Sequence, residues 1–546
     1  MLFDPQAAVD TRTRRLVAAA TALLAGAFAS VQLRHGVVPM LDTASYWSGV
    51  EATAAGHPFT TTLAPSFSNF DVLRMLRSDG RLPFVDFPVG YPLIAGLLAV
   101  LTGGRVAMAL TIVAAVGLLT FVAVAGPRTR PVAATVLGLR SLLALGVVAL
   151  PVFRLTTQGA LSEPLFCAVA VCLVCALVEY HDGGRSWVIP AALVAACGLL
   201  RFVGAALVVL LIIEMWRRRE AVRTVLLATA IAVVPTLANI LWTSAAGGGH
   251  TAGWRGLDRR DLNTLARSIG GWFDSTLGDL RLTYFAADRS LPWWTLLTVG
   301  AWFGLVVLSA WALISRAAAG SLREPSDRVI RRRPPVELAI GLSAGGLLVA
   351  ALIAGMAGFD ALVIADNRLM LPIGVLTVVA TGWSIRPVSA LHLSGASVLV
   401  LGWILLATGP TGWTESFSTP GAAAALDPAV LPNGRTVRVV LTNDADTIHW
   451  ATGLPAAYMP TAVNSLTGEA VDTASIYELL PCALAEHDGL VVISSASLFG
   501  PGDVDALQRL VDDGRLVQLP SSLGSAYAAA PAGATGTLAA SSCGAP

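Results

Sequence analysis

Lysine is absent from this chain; all 36 basic residues are arginine. That absence excludes Schiff-base chemistry on a lysine and the phosphate-cradling lysine of a P-loop. Charge of either sign is scarce, at 13% of 546 residues, and 36 bases against 35 acids leave a net charge of +1. Nothing here favours nucleic acid as a partner, since that needs a basic surface. Cysteine is also sparse, with six in all. Cys167, Cys172, Cys175 and Cys197 lie in apolar sequence, and the C-x-x-C of FCAVAVCLVCALV reads as small apolar filling rather than a redox or metal motif. What abounds is apolar surface: 55% of residues are hydrophobic and the mean hydropathy is +0.70. No soluble core hides that much.

The chain therefore reads as an α-helical polytopic membrane protein. Apolar runs of spanning length fall near 16–33, 105–125, 132–151, 163–180, 186–200, 201–216, 221–243, 293–315, 336–357, 368–385 and 390–409, which predicts about 11 transmembrane helices. The stretches 91–125 and 186–216 are each open to reading as one long helix, a re-entrant piece or two helices with a tight turn. Arginine clusters at 12–15, 128–130, 217–219 and 331–333 mark the cytoplasmic side. Arg140 and Glu214 then fall near cytoplasmic ends, within reach of water. Alternation puts the N-terminus in the cytoplasm and places the loops 34–90 and 244–292, with everything after about residue 410, outside. The first run lacks a cleavage site followed by a soluble domain, so it reads as a retained helix. Arginine in place of lysine, with abundant Ala, Gly and Val, points to a GC-rich bacterial genome and hence to the bacterial inner membrane.

Residues 1–409 form the expected membrane domain and 410–546 a small extracytoplasmic α/β domain. Within the latter, RTVRVVLT and GLVVISS read as buried strands, and DVDALQRLVDDG as an amphipathic helix opened by Asp503 and closed by Gly514. The final AYAAAPAGATGTLAASSCGAP is low in complexity. In an oxidising compartment, Cys482 and Cys543 are candidates for a disulfide.

Charges near a bilayer are expensive, about 2.5–3.5 kcal/mol each on insertion scales, so each one needs a reason. Asp42 follows the first helix directly, in MLDTASYWSGVEATAAGHPF. It reads either as the cap of a helix beginning at Thr43 or as a general base beside an apolar wall. The same loop carries Asp71, Asp79 and Asp86 and ends in FVDFPVGYPLIAGLL, a proline-punctuated stretch suited to the membrane face. Glu163 and Arg201 stand at outer helix ends, and Asp366 and Arg368 lie close to another. An outer arginine suits a lipid phosphate, whose oxygens match the guanidinium fork, and it equally suits snorkelling or an ion pair.

Taken in order, these pieces resemble the GT-C superfamily of glycosyltransferases, membrane enzymes that use lipid-phosphate sugars as donors. The pieces are Asp42, followed by Tyr46 and the Gly-x-Pro of AGHPF; then FPVGYPLIAGLL, SEPLF, LLRFVGAAL and DNRLMLP. In the tail, VVLTNDADTIHWATGLPAAYMP resembles the Thr-Asn … Gly-x-Pro-Ala … Pro pattern of some members' outer domains. The resemblance implies Asp42 as catalytic base in an inverting attack on the anomeric carbon. It gives Arg201 and Arg368 the donor's lipid phosphate, and sets Tyr46, Asp86, Glu163, His250 and Trp254 near the acceptor or sugar. Thr43 and Ala44 follow Asp42 where several branches have a second acid, and Leu369 replaces a frequent aromatic. A divalent metal, Mg or Mn, is thereby left open, with Asp86 or Glu163 as substitute ligand.

The implied partners are a polyprenyl-phosphate sugar, an envelope glycan, lipid or protein acceptor, and membrane lipids. A transporter or flippase of a lipid-linked sugar is the alternative; it calls for midplane polar residues and internal repeats, neither of which is evident. A scaffold with a sensing tail ranks third, because so many spans exceed what an anchor needs. Trp47, Trp254, Trp272 and Tyr284 are candidates to stack on a sugar, and interfacial anchoring explains tryptophan equally well.

Overall fold

The computed structural model describes residues 9–34, 36–38, 41–63, 80–84, 87–246, 335–358, 367–385, 431–459, 474–494, 504–520 and 524–531. The expected spans 293–315 and 390–409 lie outside these, as do Asp86, His250, Trp254 and Cys543. The described helices are α1 (Thr11–Gln32), α2 (Leu41–Ala54), α3 (Gly90–Thr102), α4 (Gly104–Ala125), α5 (Ala134–Val148), α6 (Pro151–Gln158), α7 (Glu163–His181), α8 (Val188–Leu200), α9 (Val208–Arg217), α10 (Val222–Ala246), α11 (Val336–Gly358), α12 (Asn367–Ser384), α13 (Ala445–Thr452), α14 (Ala474–His487) and α15 (Val504–Asp512).

Among the described residues, α1, α4, α7 and residues Val222–Thr243 of α10 are long and apolar enough to cross a membrane. The bent pair α5–α6, whose parts meet at 62°, raises the number to five. Shorter apolar helices lie at Gly90–Thr102, Val188–Leu200, Val336–Leu352 and Leu371–Ser384. Helices thus occupy every expected span that falls on described residues, but several are too short to cross alone. The reason lies in the breaks. Gly103, at φ +82°, ends α3 and lets α4 begin one residue later, so 91–125 is two helices. Pro151 opens α6 where α5 has just ended. Arg201 turns extended, at φ −150°, and a 3-10 segment (Phe202–Leu207) leads into α9, so 186–216 is also two helices.

Two compact units emerge: Met1–Val37 with Ala109–Leu241 and Arg259–Gly412, and Val38–Met108 with Trp242–Asp258 and Trp413–Pro546. In the first unit the arginine clusters at 12–15, 128–130 and 217–219 gather at one end, and the cluster at 331–333 lies outside the described residues. Asp10 caps α1 by accepting from Arg12 N (2.8 Å) and Thr13 N (2.9 Å). Arg14 donates to the carbonyls of Ala125, Pro127 (2.7 Å) and Arg130 (2.9 Å), while Arg130 pairs with Asp182 (2.8 Å) and Glu337 (3.1 Å). Arg140 is only 4% exposed and donates to the carbonyls of Gly382 (3.1 Å) and Trp383 (3.0 Å) at the end of α12. Glu214, fully buried, meets Arg217 (2.5 Å) and His181 (2.8 Å). Arg140 and Glu214 therefore find their partners inside the protein: orphan carbonyls at the C-terminus of α12 attract the Arg140 cation, whose Nη1 is nonetheless buried without a partner among the described residues, and Glu214 is held by Arg217 and His181.

The second unit holds a five-stranded sheet made of β3 (Val439–Thr442), β4 (Ala456–Tyr458), β5 (Gly489–Ser494), β6 (Leu516–Pro520) and β7 (Gly524–Ala529), in the order β4-β3-β5-β7-β6. Strand β3 runs parallel to β4 and β5; β7 is antiparallel to β5 and β6. Alternation along the strands builds two cores. Val439, Leu441, Val491 and Ile493 pack with Leu480, Leu484, Leu507 and Leu510 of α14 and α15. Val440, Leu490 and Val492 pack with Ile448 of α13 on the other face. The small C-terminal α/β domain is thus present, with the expected strands and amphipathic helix in place. Cys482, on α14, is disulfide-bonded; its expected partner Cys543 lies outside the described residues.

Candidate functional site

In the second unit the described part of residues 41–84 folds against the C-terminal domain. Strands β1 (Thr60–Thr61) and β2 (Leu82–Pro83) pair antiparallel below α2. Leu63 bridges to Ala456, and Ala456 N donates to Thr62 O (3.1 Å). Ala44 of α2 packs with Leu63, Ala445 and Ala456. The tail segment carrying the Thr-Asn … Gly-x-Pro-Ala resemblance is therefore the surface on which α2 rests.

Asp42 occupies the first turn of α2, which starts at Leu41. The capping expectation is thus corrected: Asp42 is inside the helix, where the N-terminal dipole favours a carboxylate. It is half-buried, next to buried Thr43 and Ala44. Tyr46 is 3% exposed and packs against Phe87 (centroids 4.9 Å) and edge-on to Tyr91 (5.0 Å), a wall of the site rather than an open surface. Ser48 Oγ lies 2.8 Å from Thr61 Oγ1 and 3.0 Å from Thr62 Oγ1 and accepts from Thr62 N (2.7 Å), tying α2 to the β1–β2 ribbon.

Trp47 is not free to stack on a sugar. Arg105 lies over its ring at 4.8 Å and over Trp450 at 4.2 Å, and donates to Trp450 O. Trp47 meets Trp450 edge-on at 5.2 Å and His449 at 4.9 Å, and its Nε1 donates to Glu51 Oε1 (3.1 Å), which also accepts from Gly104 N (3.1 Å). The cation–π sandwich joins α2, the start of α4 and α13. Arg105, His449 and Trp450 were not singled out in the sequence, although His449 and Trp450 lie inside the quoted tail segment. His449 is buried and donates from Nδ1 to Leu454 O (2.7 Å). Burial, opposed by that hydrogen bond and aided by Arg105, lowers its pKa to about 4, so the ring is neutral at pH 7. Tyr458 donates to Asp446, and burial first, then that carboxylate's charge, raises its pKa.

In the first unit Glu163 and Arg201 come together. Glu163 opens α7, just after Ser162 and before Pro164, and Arg201 Nη1 lies 2.6 Å from Glu163 Oε1. The sequence left Arg201 open to phosphate or to an acid; an acid holds it here. Glu163 Oε2 is buried without a hydrogen-bond partner among the described residues. Arg368 lies in the first turn of α12, and its side chain is outside the described residues. Among the described residues, no group of three or more His, Cys, Asp or Glu is placed to hold a metal ion.

No family model matches the chain, and no curated protein sequence matches it. It is similar to the crystal structure of ArnT from Cupriavidus metallidurans bound to undecaprenyl phosphate, at 14% identity and TM-score 0.46 over 96% of this chain and 99% of that one. It is also similar to the apo form of the same protein, at 16% identity and TM-score 0.45 over 93% and 97%.

Proposed function

We propose that the chain is a membrane glycosyltransferase that moves a sugar from a polyprenyl-phosphate donor to an acceptor hydroxyl on the outer membrane face. One observation carries this reading: Asp42, a half-buried carboxylate in the first turn of α2, stands on a helix walled by the C-terminal domain. A carboxylate so placed takes the acceptor's proton as its oxygen attacks the anomeric carbon. The new C–O bond forms in line with the breaking one, inverting the configuration, and the polyprenyl phosphate departs with the bonding pair as an already stable anion. Arg201, oriented by Glu163, and Arg368 are assigned to the donor's phosphate. Chelation of the purified protein tests whether transfer requires a divalent ion.

The reading is tested with purified protein, a labelled polyprenyl-phosphate sugar and a panel of envelope acceptors. The expected result is one polyprenyl phosphate released per glycoside formed, with the anomeric configuration inverted. Movement of intact donor between leaflets, with no release, would instead establish the flippase.

A further inference from the structure

Positive charge at the arginine-rich end of the first unit outruns the carboxylates that could match it. Arg14 and Arg140 are 7% and 4% exposed, and both are held by carbonyls alone: Arg14 by Ala125, Pro127 and Arg130, Arg140 by Gly382 and Trp383. The carboxylates whose charge reaches them, Glu179 and Glu337, are already taken by Arg185 and by Arg130 (3.1 Å). The like charge of Arg14 bears on Arg140 as well. The C-terminal pole of α12 offsets at most about half a charge, so a buried cation is left short of its counter-charge, which is costly.

Two further observations converge on Arg140. Its Nη1 is buried without a hydrogen-bond partner among the described residues. Arg140 also lines a small cavity with Ala123 of α4, Leu143 and Ala144 of α5, and Val378, Val379 and Gly382 of α12, a space that suits one particle about the size of a water molecule. A Cβ on Gly126, at φ +58°, would stand 2.9 Å from Nη1 and 3.0 Å from the Trp383 indole, so only glycine allows this close approach to the guanidinium.

The walls decide what such a space takes. A water accepting from Nη1 would turn its own O–H donors toward aliphatic side chains, whereas a buried water makes about three hydrogen bonds. The bordering carbonyls are engaged: Gly382 O accepts from Arg140 Nε, and Ala123 O from Trp383 Nε1 (2.7 Å). A monatomic anion only accepts, needs no acceptor from the walls, and brings the charge that Arg14 and Arg140 lack. Phosphate and other polyatomic anions are too large for the space.

We propose that Arg140 and this cavity form a chloride site that ties α4, α5 and α12 together at the arginine-rich end. The ion accepts from Nη1 and neutralises the charge shared by Arg14 and Arg140, so these helix ends hold more firmly in chloride than without it. The site does not depend on the transferase reading.

The test uses the full-length protein in nanodiscs, exchanged into gluconate, with chloride added at constant ionic strength. Thermal unfolding and the chloride NMR linewidth are followed for wild type, Arg140→Gln and Ala144→Val. In the wild type the unfolding temperature should rise saturably with chloride, the chloride line should broaden, and bromide should compete the broadening away. Arg140→Gln should bind chloride at least about tenfold more weakly, as expected when a buried charge loses its partner. Ala144→Val narrows the cavity and should weaken binding too; because it keeps the cation, it remains informative should Arg140→Gln fail to fold. Absence of both broadening and a saturable shift in the wild type overturns the site and leaves water as the partner of Nη1. Chloride affinity equal to wild type in either folded variant also overturns it.

Discussion

His449 shows how one residue gives the second unit a pH limit. Its folded pKa, about 4, lies below the ordinary value of 6.5, so between these values the unfolded chain binds the proton and the folded one does not. Stability is fully present above pH 6.5, declines as the pH falls toward 4, and the total loss is about 3 kcal/mol. Thermal unfolding followed from pH 7.5 to 4 should show a steeper fall for the wild type than for His449→Gln; parallel curves would mean the ring is not held neutral. Asp42 and His449 differ in how far sequence exposes them. Asp42 was legible because a charge directly after a spanning run stands out. His449 was not: its burial comes from Trp47 and Arg105, which lie hundreds of residues away in the chain.

Among elements, α2 and α3 meet so closely that a Cβ on Gly96 would stand 2.5 Å from Thr53 Cβ. Gly96→Ala should therefore push α2 away from α3, destabilising the protein by about 1–3 kcal/mol. It should also lower transfer activity, because α2 carries Asp42; an unchanged melting temperature and rate would contradict that coupling. Hydropathy located the helices well, since apolar length is a direct readout of burial in lipid or protein. It could not settle their breaks, which depend on single residues: Gly103 at positive φ, Pro151, and the extended turn at Arg201.

At the level of the whole molecule, what sequence reasoning could not supply is the partnership of distant segments. The strand pattern of the tail was readable by alternation, and β3, β5 and α15 lie where it put them. That the tail packs on α2 and the β1–β2 ribbon, with Trp450 reaching Arg105 across 345 residues of chain, has no local signature. It gives the C-terminal domain a role beyond tethering, since it walls the helix bearing the proposed base.

The central claim is that Asp42 removes the acceptor's proton, and the most direct measurement is the transfer rate of Asp42→Asn against wild type. Both should be assayed in membranes at matched protein amounts with the same labelled polyprenyl-phosphate sugar and acceptor. Asparagine keeps the size and helix position of the side chain but accepts no proton, so the rate should fall at least about a hundredfold with the protein still folded. Transfer within a few-fold of wild type would contradict the account and remove Asp42 from the chemistry.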